Sequence, residues 1–110
     1  MLFQNLDYKL SSPINSERYC DYDEIDGLCI LSGILNFSET MVFESKTIID
    51  PGTKIILNQG GNLIFKSSLL INGTKESPVT VEGNSSGGIF IKNNKEQVSI
   101  IKNTTFSNLT

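Results

Sequence analysis

The densest chemistry in this chain is a pair of cysteines and the acids between them. Cys20 and Cys29 enclose Asp21-Tyr22-Asp23-Glu24-Ile25-Asp26-Gly27-Leu28. There is no histidine to complete a mixed zinc site, and an even cysteine count favours a disulfide. Two free thiols are the alternative. A disulfide closing so short a loop would contribute about 2–3 kcal/mol and would pin this segment as a cap. Asp21, Asp23, Glu24 and Asp26 carry the hard oxygen donors that calcium takes. Their spacing departs from an EF-hand-like loop, because Ile25 occupies the third ligand place and Gly27 falls one residue late. A solvated acidic surface is the expected reading, with calcium the weaker one.

Catalytic candidates are sparse. Glu44, Asp50, Glu76, Glu82 and Glu96 are isolated from one another in sequence, and Arg18 is the sole arginine. A polysaccharide lyase needs a Lys or Arg base with metal-holding acids, and a glycoside hydrolase needs two carboxylates at a fixed separation. No catalytic, cofactor or metal residue is assigned on this basis. Asn-x-Ser/Thr triplets occur at Asn36, Asn72, Asn84, Asn103 and Asn108. They are glycosylation acceptors only in a eukaryotic secretory setting. The structural expectation is that asparagines at turns stack between successive layers, with Asn72 and Asn103 as the first candidate pair.

The elements that carry these residues are strands. Alanine, the best helix former, is absent from all 110 residues. Ile, Leu, Val and Phe supply the interior, and Asn, Ser, Thr and Gly supply the turns. Residues 1–32 have no sustained period and read as an irregular acidic arm or cap. From 33 to 110 short apolar runs alternate with polar turns: Ile34–Phe37, Met41–Phe43, Thr47–Ile49, Ile55–Leu57, Leu63–Phe65, Leu69–Ile71, Val79–Val81, Ile89–Ile91, Val98–Ile101 and Thr104–Phe106.

The runs repeat in threes. Leu63, Leu69 and Val79 recur 26, 29 and 25 residues later as Ile89, Val98 and Thr104. Going backward, Phe37, Ile48 and Ile55 precede Leu63, Leu69 and Val79 by 26, 21 and 24 residues. Three strands recurring at this period predict a parallel solenoid, in which each coil buries its inward face only against the next. In the triplets Val79-Thr80-Val81 and Ile89-Phe90-Ile91 the middle residue points outward. That leaves Phe90 to be covered by the N-terminal arm or an insertion, or to form a partner or ligand surface.

The string Ile48-Ile49-Asp50-Pro51-Gly52-Thr53-Lys54-Ile55, followed by Leu69-Leu70-Ile71-Asn72-Gly73-Thr74 and Ser77-Pro78-Val79-Thr80-Val81, resembles the opening coils of right-handed parallel β-helix proteins of the pectate-lyase-like superfamily. Gly87-Gly88-Ile89-Phe90-Ile91 and Ile100-Ile101-Lys102-Asn103-Thr104-Thr105-Phe106-Ser107-Asn108-Leu109 continue the likeness. It spans about residues 33–110 and includes no catalytic motif. Gly52 and Gly73 suit corners of unusual backbone geometry, and Pro51 and Pro78 suit strand starts.

The resemblance implies an all-β, right-handed parallel β-helix of about three coils with an N-terminal cap, cut off at its C-terminal side. Further coils are expected beyond Thr110, and Met1 can be an internal residue of a longer chain. The expected role is a non-catalytic secreted or cell-surface scaffold for a polysaccharide, cell-envelope component or protein. The alternative is the start of a carbohydrate-active enzyme whose site lies on later coils. No signal peptide or membrane span is legible. The net charge of −3 divides into −6 over residues 1–50 and +3 over 51–110. The scattered lysines lack aromatic platforms, which argues against nucleic acid as a partner.

Overall fold

The computed structural model describes residues 14–15, 19–22, 27–84, 87–93 and 95–109, and for 14, 15, 21 and 22 it describes the backbone. The described chain is all-β. Its strands are β1 (Ile14–Asn15), β2 (Asp21–Tyr22), β3 (Cys29–Leu31), β4 (Ile34–Phe37), β5 (Thr40–Phe43), β6 (Thr47–Ile49) and β7 (Lys54–Leu57). They continue as β8 (Asn62–Phe65), β9 (Leu69–Asn72), β10 (Val79–Glu82), β11 (Gly88–Ile91), β12 (Ser99–Lys102) and β13 (Thr104–Ser107).

From β3 onward consecutive strands never pair. Each instead pairs in parallel with the strand three places along, which gives three sheets. Sheet 1 runs β2-β3-β6-β9-β12, sheet 2 runs β4-β7-β10-β13, and sheet 3 runs β1-β5-β8-β11. Register partners are separated by as little as Cys29 on Thr47 and as much as Leu69 on Ser99. Parallel sheets visited in strict rotation fit a β-solenoid. The strict rotation through the three sheets starts at Cys29, within the stretch that lacks a sequence period.

The inward residues sit directly above one another. Leu31, Ile49 and Ile71 form one column, Ile55 lies under Val81, and Leu63 lies over Met41, all essentially without solvent contact. Phe43 and Phe65 stack with ring centroids 5.0 Å apart and planes 17° from parallel. Strands β5 to β8 alternate buried and half-buried positions, the period-2 pattern of a sheet with one buried face.

Two of the six repeat alignments drawn from the sequence need correction, and two more slip by one residue. Leu63 lies on Met41, whereas Phe37 lies on Leu57 in the neighbouring sheet. Val81, not Val79, lies over Ile55, and Ile48 lies under Leu70, not Leu69. Leu69 is covered by Ser99 and not Val98. The first two errors shift by an even number of residues, which leaves every side chain on its proper face. Hydrophobicity alone therefore carries no signal against them. The alignments of Leu63 with Ile89 and Val79 with Thr104 match the observed register.

Corners are held by the layer beneath. Thr53, buried at the turn between β6 and β7, donates its hydroxyl to the Asp50 carbonyl at 2.6 Å, and its Oγ1 is 3.3 Å from the Leu31 carbonyl oxygen. Gly52 has φ +80°, the left-handed geometry expected of it, and its amide donates to Ser77. Gly73 serves a different purpose. Its φ is ordinary, but a Cβ there would run into the carbonyls of Lys102 and Asn103 in the next layer. Gly73→Ala is expected to destabilise the protein by about 1–3 kcal/mol through this clash. Lys75→Ala, on the exposed turn that follows, is expected to change stability by under about 0.5 kcal/mol. Urea unfolding followed by circular dichroism compares the two; equal midpoints would refute the close-approach account.

Candidate functional site

The capped end is built from the cysteine segment. Cys20 and Cys29 form a disulfide with Cα atoms 4.9 Å apart. Cys29 is itself the first residue of β3 and is buried in the core, so the bond ties the preceding chain directly onto the stack. Strand β2 runs antiparallel to β3, with Asp21 opposite Ile30 and Tyr22 opposite Cys29. The Tyr19 ring packs on Phe37 at 4.7 Å between centroids. Strand β1 adds in parallel to β5 and closes the same end of sheet 3. Of the four acids considered for calcium, Asp23, Glu24 and Asp26 and the side chain of Asp21 lie outside the described residues. Among the described residues no group of three His, Cys, Asp or Glu is placed to hold a metal.

The asparagines link layers, though not as the pair expected. Lys102, not Asn103, is the register partner of Asn72. Asn103 adopts φ +43° and donates its amide to the Gly73 carbonyl at 3.2 Å. The one-residue offset arises because β12 ends at Lys102 and Asn103 makes the bend into β13. Among the described residues, hydroxyls and carbonyls receive the asparagine bonds: Asn93 reaches Ser99 Oγ at 2.7 Å, and Asn62 and Asn58 contact Thr40 and Ser38 at 3.5 Å. These small polar partners leave the corners narrow enough for the layers to stack. Of the triplet asparagines, Asn36, Asn84, Asn103 and Asn108 are exposed and Asn72 is half-buried.

Outward-facing side chains differ from sheet to sheet. Sheet 2 is mixed: Ile34, 70% exposed, and Thr80 both pair with Lys54, Thr80 also pairs with Thr105, and the Lys54 ammonium lies 3.4 Å from Glu82. That pair is about half-exposed, so it contributes little to stability. The carboxylate of Glu82 is thus engaged with a cation and not with another acid. Sheet 3 carries Val42, Ile64 and Phe90 in one outward column. Phe90 is 46% exposed and its ring lies over Gly88, where a Cβ would stand 3.1 Å from the ring edge. Thr40, Asn62, Ile64, Phe90 and Lys92 line a shallow cavity of about 260 Å³ here.

Sheet 1 presents a second outward column, Ile30, Ile48, Leu70 and Ile100. It flanks a groove of about 500 Å³ whose walls include Lys46, Ser68, Gln97 and Val98. Sequence reasoning picked out Phe90 but missed this column. The signal was available: Thr47-Ile48-Ile49, Leu69-Leu70-Ile71 and Ser99-Ile100-Ile101 are apolar at the middle position as well as the last, which strict alternation does not require.

No protein-family model matches the chain, and no curated protein or solved structure matches it either.

The disulfide predicts a sharp test of the cap. Mild reduction is expected to lower stability by about 2–3 kcal/mol, the value for closing a short loop. Amide exchange should then accelerate first in β3 and β4, next to the cap, and last in β7 and β8. Uniform acceleration along the chain would contradict a cap that acts locally.

Proposed function

We propose that this chain is the cap-bearing N-terminal part of a secreted or cell-surface right-handed parallel β-helix that acts as a binding scaffold. Three full circuits, β3–β5, β6–β8 and β9–β11, are followed in this reading by a partial fourth. Parallel strands joined through a crossover are right-handed in about 98% of cases, which supports the handedness. The likeness of residues 33–110 to pectate-lyase-like β-helices supports the class. The Cys20–Cys29 disulfide supports an oxidising compartment.

The observation that carries the binding role is the outward column on sheet 3 ending in Phe90. An aromatic face stands beside an amide (Asn62), a hydroxyl (Thr40) and an ammonium group (Lys92) around one shallow cavity. That set suits a glycan: the ring stacks on the apolar face of a sugar, and the polar groups exchange hydrogen bonds with its hydroxyls. Phe90 is not needed to fill the core, since it lies on the outer face and is half-exposed.

Affinity electrophoresis through gels containing a soluble neutral glucan or a polyuronate tests the reading. Retardation of the wild-type chain is expected in at least one gel. Phe90→Ala should weaken it by roughly two- to tenfold, the equivalent of about 0.5–1.5 kcal/mol of ring contact, with little change in thermal stability. Wild-type migration unaffected by every polysaccharide would overturn the glycan assignment. Release of unsaturated product in the same incubation would favour the lyase alternative over a scaffold.

A further inference from the structure

Asn72-Gly73 is the sole Asn-Gly pair in the sequence. Such a pair cyclises on itself more readily than any other asparagine pair. Glycine has no side chain to hinder approach to its amide nitrogen, and it leaves the backbone free to bend. The stack restrains this pair from the layer above. Asn72 ends β9 in register with Lys102, and the Gly73 amide donates to the Lys102 carbonyl at 3.1 Å. The Gly73 carbonyl accepts the Asn103 side-chain amide at 3.2 Å. A Cβ on Gly73 would meet the Lys102 and Asn103 carbonyls, so the backbone of that layer lies directly on the glycine. The turn that follows is fixed as well: the Thr74 amide donates to the Ser77 carbonyl, and the Ser77 amide to the Thr74 hydroxyl, at 3.1 and 2.9 Å.

We propose that Asn72-Gly73 is a self-modification site, held off by the layer of β12 and β13 and released when β12 and the Asn103 bend lift away. The reaction needs only water. The Gly73 nitrogen loses its proton and attacks Asn72 Cγ. The new C–N bond closes a succinimide, and the Cγ–Nδ2 bond breaks to release ammonia. Water then opens the ring at one of its two carbonyls. Opening at Cγ leaves aspartate at position 72, and opening at the main-chain carbonyl leaves isoaspartate, with the chain running through Cγ. In the closed stack the first step is blocked. The Gly73 N–H is committed to Lys102, and closing the ring requires Asn72 to leave the extended geometry of a strand.

The two products differ in what they do to the stack. Aspartate keeps the main chain and sets a carboxylate beside its register partner Lys102, so β12 can return. Isoaspartate adds a methylene to the main chain between β9 and the corner. Gly73 then falls out of step with Lys102 and Asn103, and the corner does not re-form. Each opening of this layer thus carries a chance of becoming permanent. The proposal does not depend on what the outer faces bind.

The experiment follows isoaspartate at position 72 in the 110-residue chain, by peptide mapping with enzymatic isoaspartate labelling, in mildly alkaline buffer across urea concentration. Formation in the folded protein is expected to be at least about tenfold slower than in the unfolded chain. It should also rise at urea concentrations below the main unfolding transition, because opening one layer is a smaller event than unfolding the whole. Equal rates in folded and unfolded chains would overturn the restraint. A rise confined to the main transition would overturn control by one layer. Asn103→Ala removes a bond to the Gly73 carbonyl and should raise the folded-state rate without changing the unfolded one; an unchanged folded rate would count against the clamp. In aged wild-type protein, amide exchange should be faster in β12 and β13 and unaltered in β6 and β7. Asn72→Gln, whose longer side chain cyclises far more slowly, should age without that change. Aged wild-type protein that exchanges like fresh protein, or an Asn72→Gln chain that ages as wild type does, would overturn permanent loss of the corner through this site.

Discussion

A single circuit of three short strands has no interior, and the structure depends on removing that deficit by vertical stacking. Each inward side chain is covered by the one in register above and the one below, at the roughly 4.8 Å spacing of paired strands. The column Leu31, Ile49 and Ile71 reaches complete burial this way, as does the Phe43–Phe65 stack. Register is therefore a condition of having a core at all, because a slip of one residue would turn each inward column toward solvent. The corners follow from the same demand. Gly73 is small because the next layer's backbone passes over it, and Thr53 turns inward because two carbonyls there accept its hydroxyl or lie within its reach.

Stacking leaves the first and last layers half-covered, and the chain resolves the first locally. Cys29 is both a core residue and a disulfide partner, so the covalent bond starts from the buried column and not from a surface loop. The short antiparallel β2 pairs with the edge of β3 while breaking the parallel order. At two residues it also leaves too short an edge to template another layer readily. Tyr19 adds an aromatic cover over Phe37. None of these devices recurs at Ile91, Ile101 and Phe106, where positions that are core one layer below meet solvent.

Much of this arrangement was legible in the residues. The ten apolar runs from Ile34 onward fall on strands, apart from Val98, which lies just before β12, since β-branched and aromatic residues between polar turns leave few alternatives. Which strand covers which was less legible. Phe37 and Met41 are both inward and only two residues, Ser38 and Glu39, separate their strands. Pattern alone could not decide that Met41 belongs under Leu63. Strand β3 escaped notice because Cys29-Ile30-Leu31 adjoins the acidic segment and its inward cysteine reads as chemistry before it reads as core. The Asn72–Asn103 pairing failed for a geometric reason: the bend at Asn103 places it over Gly73, a shift that no spacing rule reveals.

Because register fixes the inward positions, the outward ones are free of that constraint and report something else. On sheet 2 one such column runs from Ile34, 70% exposed, through Lys54 and Thr80 to Thr105, with a Lys54–Glu82 ion pair beside it. The same backbone geometry on sheets 1 and 3 carries Ile48, Leu70 and Ile100, and Val42, Ile64 and Phe90. Parallel sheets are ordinarily covered on both faces, and here stacking supplies cover on one.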